Sequence, residues 1–341
     1  MKKMFSSILV AALLISITSY AVAAGVSASA DNQALTVESS DYVRYDLENA
    51  TTSYHSFSEV PDAVGDSDCA SSPGFFPNGV DYTAGNLTSP TAIVGSADNR
   101  TRITNTEVGP YCNTVYIYAY YTHNGVGYRG IGSGFVIGPS AVATAAHCVY
   151  HATYGMADYV RIVPAKSGTL EPYGRETIDN PVIGENIIIS AEYLQTYNSA
   201  DDWAVIELDS QIGNQTGWLG IRWQSASYNN TFVYNTGYPA EVTGYTQDNV
   251  DRDMFLGTGY VRYSAAKYLC GDWDATGGNS GGPVYIYNSE TGYTLIGILT
   301  AGSGADSNFN DYGFGDGGAY TYATRITQDI YNLFVSYRPT S

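Results

Sequence analysis

Three stretches of this chain hold residue types that together could do nucleophilic chemistry. The first is "CGDWDATGGNSGGPVYIYN" (270–288), in which Ser280 sits among glycines ahead of an alternating apolar run. A glycine-rich turn alone marks only a tight bend. A serine hydroxyl attacks at neutral pH only when a base takes its proton, so a histidine is required. The four histidines are His55, His123, His147 and His151. His147, in "ATAAHCVY", follows the strand-like "GFVIGPSAVAT" and is the candidate base. His123, beside Asn124–Gly125, and His55, near the N-terminus, read as surface residues. An imidazole in turn needs an acid to hold its tautomer and stabilise its charge. "DDWAVIELD" offers Asp202 at the head of an apolar run, where an unpartnered carboxylate would be costly, with Asp201 as its rival. The glycines then gain a purpose, because the N–H groups of Gly278 and Ser280 could converge on a developing oxyanion, each donor contributing ~3 kcal/mol.

Such residues need a frame, and the frame reads as strands. Tyrosine is in excess, 32 of 341 residues, and often alternates, as in "VYIYAYY" (115–121). Aromatic and β-branched residues at period two predict strands whose Tyr rings cover apolar surface while their hydroxyls reach water. From Ile93 onward, short runs of this kind are separated by Gly, Asn and Asp turns, with hairpin signals at Asn124–Gly125 and at 290–292, which predicts an all-β barrel or sandwich. A single long helix is predicted at the end, where Ile326, Ile330, Leu333, Phe334 and Tyr337 recur at helical spacing.

The first 24 residues read as a signal peptide and residues 25–91, polar and weakly periodic, as a propeptide. The expected product is a secreted zymogen, extracellular or periplasmic in transit, with no membrane association after signal cleavage. A net charge of −18 with 15 Lys and Arg argues against nucleic acid as a partner. Protein or peptide substrates, the chain's own propeptide and a monomeric state are expected instead.

"TAAHC", "DWAVIEL" and "GGNSGGPV", in the order His, Asp, Ser, resemble the chymotrypsin/trypsin-like serine endopeptidases. "IVGSADNRTRITNT", "GPSAVATAAHC", "IGNQTGWLG", "TGYP" and "TRIT" narrow the likeness to the bacterial glutamyl endopeptidase branch, over roughly residues 91–335. The resemblance implies two six-stranded antiparallel β-barrels, the first over 92–215 with His147 and Asp202, the second over 216–341 with Ser280 and the C-terminal helix. It favours Asp202 over Asp201. It also implies peptide-bond hydrolysis through an acyl-enzyme, with His147, Asp202 and Ser280 catalytic and with Gly278 and Ser280 as the oxyanion hole. Thr300 matches the residue whose hydroxyl supports the aspartate.

The chain departs from its relatives in places. Trypsins pair a freshly cut N-terminal amine with an Asp before the nucleophile; here Ile93 is available, but that residue is the uncharged Asn279. Maturation is expected near 91–93, with Arg100 or Arg102 as alternative cut sites. The substrate pocket matched by the resemblance comprises Asp274, Ala275, Leu299, Thr300 and Gly302. Leu299 stands where glutamyl endopeptidases place a His, Ala275 stands where relatives have a helpful Thr, and Asp274 matches the trypsin pocket base. Cuts after Arg or Lys are therefore expected, with a glutamyl-type or apolar pocket as the alternative. A non-catalytic trypsin-like binding module and a Tyr-rich structural surface protein are the rivals from other classes.

Relatives tie the position of Cys148 to a strand residue that is Gly132 here, so Cys112 becomes its expected disulfide partner. That leaves Cys69 to pair with Cys270, or Cys270 free. No cofactor is required by this reading. His147 and His151 lack the further ligands of a zinc site, and Asp306, Asn308, Asn310 and Asp311 fit a Ca²⁺ loop only loosely.

Overall fold

The computed structural model describes residues 36–65, 67–81, 98, 100–173, 181–242, 253–302 and 320–339. The signal peptide, Ile93 and the loop with Asp306, Asn308, Asn310 and Asp311 lie outside the described residues. In chain order the strands are β1 (Tyr42–Asp46), β2 (Thr51–His55), β3 (Cys69–Ser72), β4 (Thr101–Arg102), β5 (Thr114–His123), β6 (Val126–Gly138) and β7 (Ala141–Thr144). They continue with β8 (Tyr150–His151), β9 (Gly155–Met156), β10 (Tyr159–Pro164), β11 (Val182–Ser190), β12 (Ala204–Leu208) and β13 (Gly220–Gln224). The rest are β14 (Phe232–Gly237), β15 (Phe255–Ser264), β16 (Tyr268–Gly271), β17 (Pro283–Asn288), β18 (Gly292–Gly302) and β19 (Thr321–Arg325).

Two closed antiparallel barrels of six strands result, as the resemblance implies. The first runs β10-β5-β6-β7-β12-β11 and closes where Arg161 and Ile162 of β10 pair with Ile183 and Val182 of β11. The second runs β17-β14-β15-β16-β19-β18 and closes between β17 and β18. Local chemistry sets the corners. Asn124 and Gly125 take φ of +52° and +75°, the left-handed pair that a two-residue hairpin requires, and β5 and β6 pair from His123↔Val126 outward. The predicted C-terminal helix spans Gln328–Ser336, capped where Thr327 Oγ1 accepts from Ile330 N at 3.3 Å, and buries Ile330, Leu333 and Phe334.

Each barrel has its own apolar interior. Val115, Ile117, Val136, Ile187 and Ile206 fill the first; Val233, Val261, Trp273, Val284 and Ile296 fill the second. Between them lies a tyrosine-rich layer in which Tyr116, Tyr234, Tyr238, Tyr285 and Tyr293 are buried. For these residues this corrects the expectation that the Tyr hydroxyls reach water, while Tyr120 and Tyr128 are exposed: Tyr116 meets Tyr238 edge-on at 5.1 Å, and Tyr234 stacks on Tyr285 at 5.5 Å.

The polar residues read as propeptide also form strands. β1 and β2 extend the sheet of the first barrel through β11, and β3 extends that of the second through β13. Cys69, Cys112, Cys148 and Cys270 are all free thiols, so the expected Cys112–Cys148 and Cys69–Cys270 disulfides are not formed. The Cys112 thiol donates to the Thr216 carbonyl at 2.9 Å, and burial pushes its pKa up to about 12. The Cys148 thiol points to the Ser280 carbonyl at 3.4 Å.

Ile187 is wholly buried in the first barrel. Ile187→Ala in a Ser280→Ala background is expected to lower the unfolding free energy by about 2–5 kcal/mol, read by urea titration.

Candidate active site

His147 lies in a single 3-10 turn, Ala146–Cys148, that follows β7 through small buried residues. Asp202 stands two residues before β12, and β12 pairs with β7 from Ala204↔Thr144 onward. That register carries both residues to the same end of the first barrel. Asp202 Oδ2 lies 2.6 Å from His147 Nδ1, and Oδ1 accepts the His147 backbone N–H at 3.0 Å. A carboxylate can only accept, so Nδ1 carries the hydrogen and the neutral ring keeps its lone pair on Nε2. The rival, Asp201, is held by Lys267 Nζ at 2.7 Å. Burial disfavours the charged imidazole and is the largest influence on the His147 pKa, pulling it down, but Asp202 and Cys148 together outweigh it and leave His147 well above its ordinary 6.5.

The loop bearing Ser280 is docked on the first barrel by Ser133 of β6. The Ser133 N–H donates to the Ser280 carbonyl at 2.8 Å, and Ser133 Oγ donates to the Gly278 carbonyl at 2.7 Å while accepting Tyr238 N–H at 2.9 Å. Gly281, at φ +83°, passes so close beneath that a Cβ would stand 2.1 Å from both the Ser133 carbonyl and Thr144 Oγ1. Thr144 leads three residues on to His147, so this seam docks the serine loop against the strand from which the His147 turn starts, and the Cys148 thiol beside His147 reaches the Ser280 carbonyl. Gly278, at φ +93°, turns the peptide before Asn279. Among the described residues, neither the Gly278 nor the Ser280 N–H has a protein partner. Two unspent donors at a turn beside a serine are what an oxyanion site needs.

Arg100 braces the loop from the other side. It is 7% exposed, and its guanidinium donates to Thr276 Oγ1 at 2.7 Å, Asn279 Oδ1 at 3.3 Å and the Glu241 carbonyl at 2.8 Å. Asp98 balances the charge through bonds of 2.9 and 2.7 Å. The uncharged Asn279 is thus served by an internal cation. Sequence reading reached Arg100 only as a cut site, because its partners lie up to 179 residues away. Arg102, the other cut candidate, pairs with Asp253 at 3.0 Å.

Of the residues expected to line a substrate pocket, Leu299, Thr300 and Gly302 lie on β18, and Asp274 and Ala275 follow β16. Leu299 is buried with Trp273, Val284 and the partly buried Ala275 in one apolar cluster. Gly302 pairs with Thr321, whose hydroxyl bonds the Trp273 carbonyl at 2.5 Å, and half-buried Asp274 comes next in the chain. The Thr300 hydroxyl lies on the Tyr322 carbonyl at 3.4 Å, not on the aspartate. The Thr324 hydroxyl lies 2.9 Å from the Ser199 carbonyl and 3.2 Å from the Asp202 backbone carbonyl. His151 stands on β8 and stacks on Tyr154 at 4.2 Å. Among the described residues no group of three or more His, Cys, Asp or Glu is arranged to hold a metal, and no helix is long and apolar enough to cross a membrane.

Comparison with known proteins agrees with this arrangement. The trypsin family model matches residues 113–327. A glutamyl endopeptidase of Bacillus licheniformis is 31% identical over 72% of this chain and 69% of its own. A Bacillus subtilis protein named extracellular metalloprotease is 30% identical over 71% of this chain and 68% of its own. A solved Glu endopeptidase in complex with MPD shares the fold, with a TM-score of 0.53 at 22% identity over 72% of this chain and 98% of that one. The chain therefore belongs to the trypsin family of serine endopeptidases, in the branch that resembles the glutamyl endopeptidases.

Proposed function

We propose that this endopeptidase is exported and cleaves peptide bonds with Ser280 as nucleophile, His147 as general base and acid, and Asp202 as the group that orients and charges His147. The observation that carries the reading is the paired contact of Asp202 with both the ring and the backbone of His147, beside a serine loop docked through Ser133. His147 Nε2 takes the Ser280 hydroxyl proton as Oγ attacks the carbonyl, then returns it to the leaving amine. The Gly278 and Ser280 amides hold the oxyanion, and water repeats the sequence to release the acid. Export is supported by the basic, then apolar, then small-residue order of the first 24 residues and by the extracellular naming of one relative.

For the substrate residue before the scissile bond, the match of Asp274 to the trypsin pocket base favours a cationic side chain through charge-assisted hydrogen bonds. Leu299, packed into the apolar cluster, brings no imidazole to receive a substrate carboxylate. A glutamyl preference is the second reading, favoured by the named activity of the Bacillus licheniformis relative.

Four outcomes follow from this reading. The neutral imidazole is the working base, so kcat/KM should fall as pH drops through the His147 pKa, with an acid limb above 6.5. Asp202→Asn should move that limb to lower pH and cost on the order of 10⁴ in turnover; an unmoved limb in a pH–rate profile would contradict the assignment. Arg100→Ala should lower kcat by about 10–100-fold with KM little changed, from the loss of a charged hydrogen-bonding group, and Arg100→Lys should recover part of it. Peptides cut from a denatured protein, identified by mass spectrometry against a Ser280→Ala blank, should end in Arg or Lys; ends in Glu would favour the second reading.

A further inference from the structure

The segment from residue 36 to 81, which the sequence marks as a propeptide, is built into the protease body. Five residues of β1 pair with β11, from Tyr42↔Ser190 to Asp46↔Asn186, along the edge that β10 leaves uncovered. Four residues of β3 pair with β13, from Ser72↔Ile221 to Cys69↔Gln224. Tyr42 and Val43 are buried, and the Phe57 ring packs 6.0 Å from that of Trp203, the residue after Asp202. The segment thus adds β1, with β2 beyond it, to the first barrel's sheet and β3 to the second's.

The body is also shaped to admit the segment. Phe75 exchanges two backbone hydrogen bonds with Trp218, of 2.9 and 2.8 Å, and their rings lie 4.9 Å apart. Gly217, at φ +71°, makes this approach possible, since a Cβ there would stand 1.9 Å from the Phe75 carbonyl oxygen. A Cβ on Gly109 would likewise stand 2.3 Å from the Phe76 ring. These are seats cut into the body itself.

A single cation then ties the segment to both barrels. Arg338 donates to Ser72 Oγ at 2.7 Å and to the Pro73 carbonyl at 3.1 Å, while its remaining donors reach the Ile137 carbonyl at 2.9 Å and the Leu219 carbonyl at 2.6 Å. Asn332 accepts the Ala63 N–H and donates to Asp62, each at 3.1 Å, and the Tyr293 hydroxyl holds the Asp81 carbonyl at 2.8 Å. None of these contacts involves His147, Ser280 or Gly278.

We propose that residues 36–81 are a resident clip and not a removable cap: scission of the chain between residues 82 and 97 leaves a two-chain enzyme in which the clip still braces both barrels. Strand addition supplies affinity through backbone hydrogen bonds, and the seats for Phe75 and Phe76 supply selectivity for this segment. The proposal does not rest on the roles assigned to Ser280 or His147, since retention of the clip and turnover are read separately.

The test uses the full chain carrying Ser280→Ala, to prevent self-digestion, with a site for a sequence-specific protease placed between residues 82 and 97. After cutting, verified by intact mass, both pieces should co-elute on gel filtration until the urea concentration that unfolds the body. Arg338→Ala and Val43→Asp should each release the small piece at lower urea. Separate elution in plain buffer, with the large piece keeping its cooperative melt, would overturn the proposal. Hydrogen exchange on the uncut chain gives a second readout: the β1 and β3 amides should be protected as long as those of β11 and β13, and exchange within seconds would equally overturn it.

Discussion

Ser133 holds together four hydrogen bonds where the serine loop of one barrel registers against the other. Its N–H and hydroxyl grip the Ser280 and Gly278 carbonyls, its Oγ receives Tyr238 N–H, and its own carbonyl receives Thr144 Oγ1 at 2.7 Å. The two barrels close through their own ladders and fill with their own apolar residues, so nothing within either one sets the distance between a serine and an imidazole. What fixes the serine loop against β6 and β7 is this seam, and a Gly281 that permits it. Buried polar groups in such a position are tolerated because every one is satisfied; losing one would leave its partners to bear the desolvation cost.

Charge is managed around the seam in the same way. Asp202 is taken from water, yet both of its oxygens face His147 donors and its backbone carbonyl is met by Thr324, so the negative charge is spent on the imidazole. Below the serine loop, Arg100 and Asp98 form a second buried pair whose spare donors fall on Thr276, Asn279 and the Glu241 carbonyl. A buried pair contributes little net stability on its own, but it fixes geometry because any displacement strands a charge. In trypsins the resemblance assigns this duty to a new N-terminal amine; here an arginine within the chain occupies the place beside the residue that precedes the serine.

The family and the candidate residues were legible from local patterns, and the bracing was not. "TAAHC", "DWAVIEL" and "GGNSGGPV" concentrate the reacting residues in short runs, and the hairpin at Asn124–Gly125 and the C-terminal helix announce themselves by turn chemistry and spacing. Arg100, Ser133 and Thr324 act across gaps of more than 100 residues, through single side chains in unremarkable strands, and no local pattern marks them. β1 and β3 escaped for another reason: they are short and only partly buried, with Arg44 and Asp46 in β1 and two serines among the four residues of β3, so their apolar alternation is weak. The tyrosines misled in part, since a ring at period two predicts a strand but does not say whether its hydroxyl meets water or the neighbouring barrel. The cysteines misled because exported chains favour bridges, whereas Cys112 here donates to a buried carbonyl instead.

The central claim is that the Asp202–His147 pair makes Ser280 a nucleophile. The most direct measurement is intact mass and peptide mapping after exposure to a phosphonofluoridate, which marks an activated serine without needing a known substrate. The account predicts one adduct, on the peptide carrying Ser280, formed at a rate that collapses in His147→Ala. An adduct elsewhere, no adduct on folded protein, or an equal rate in the His147 variant would contradict it.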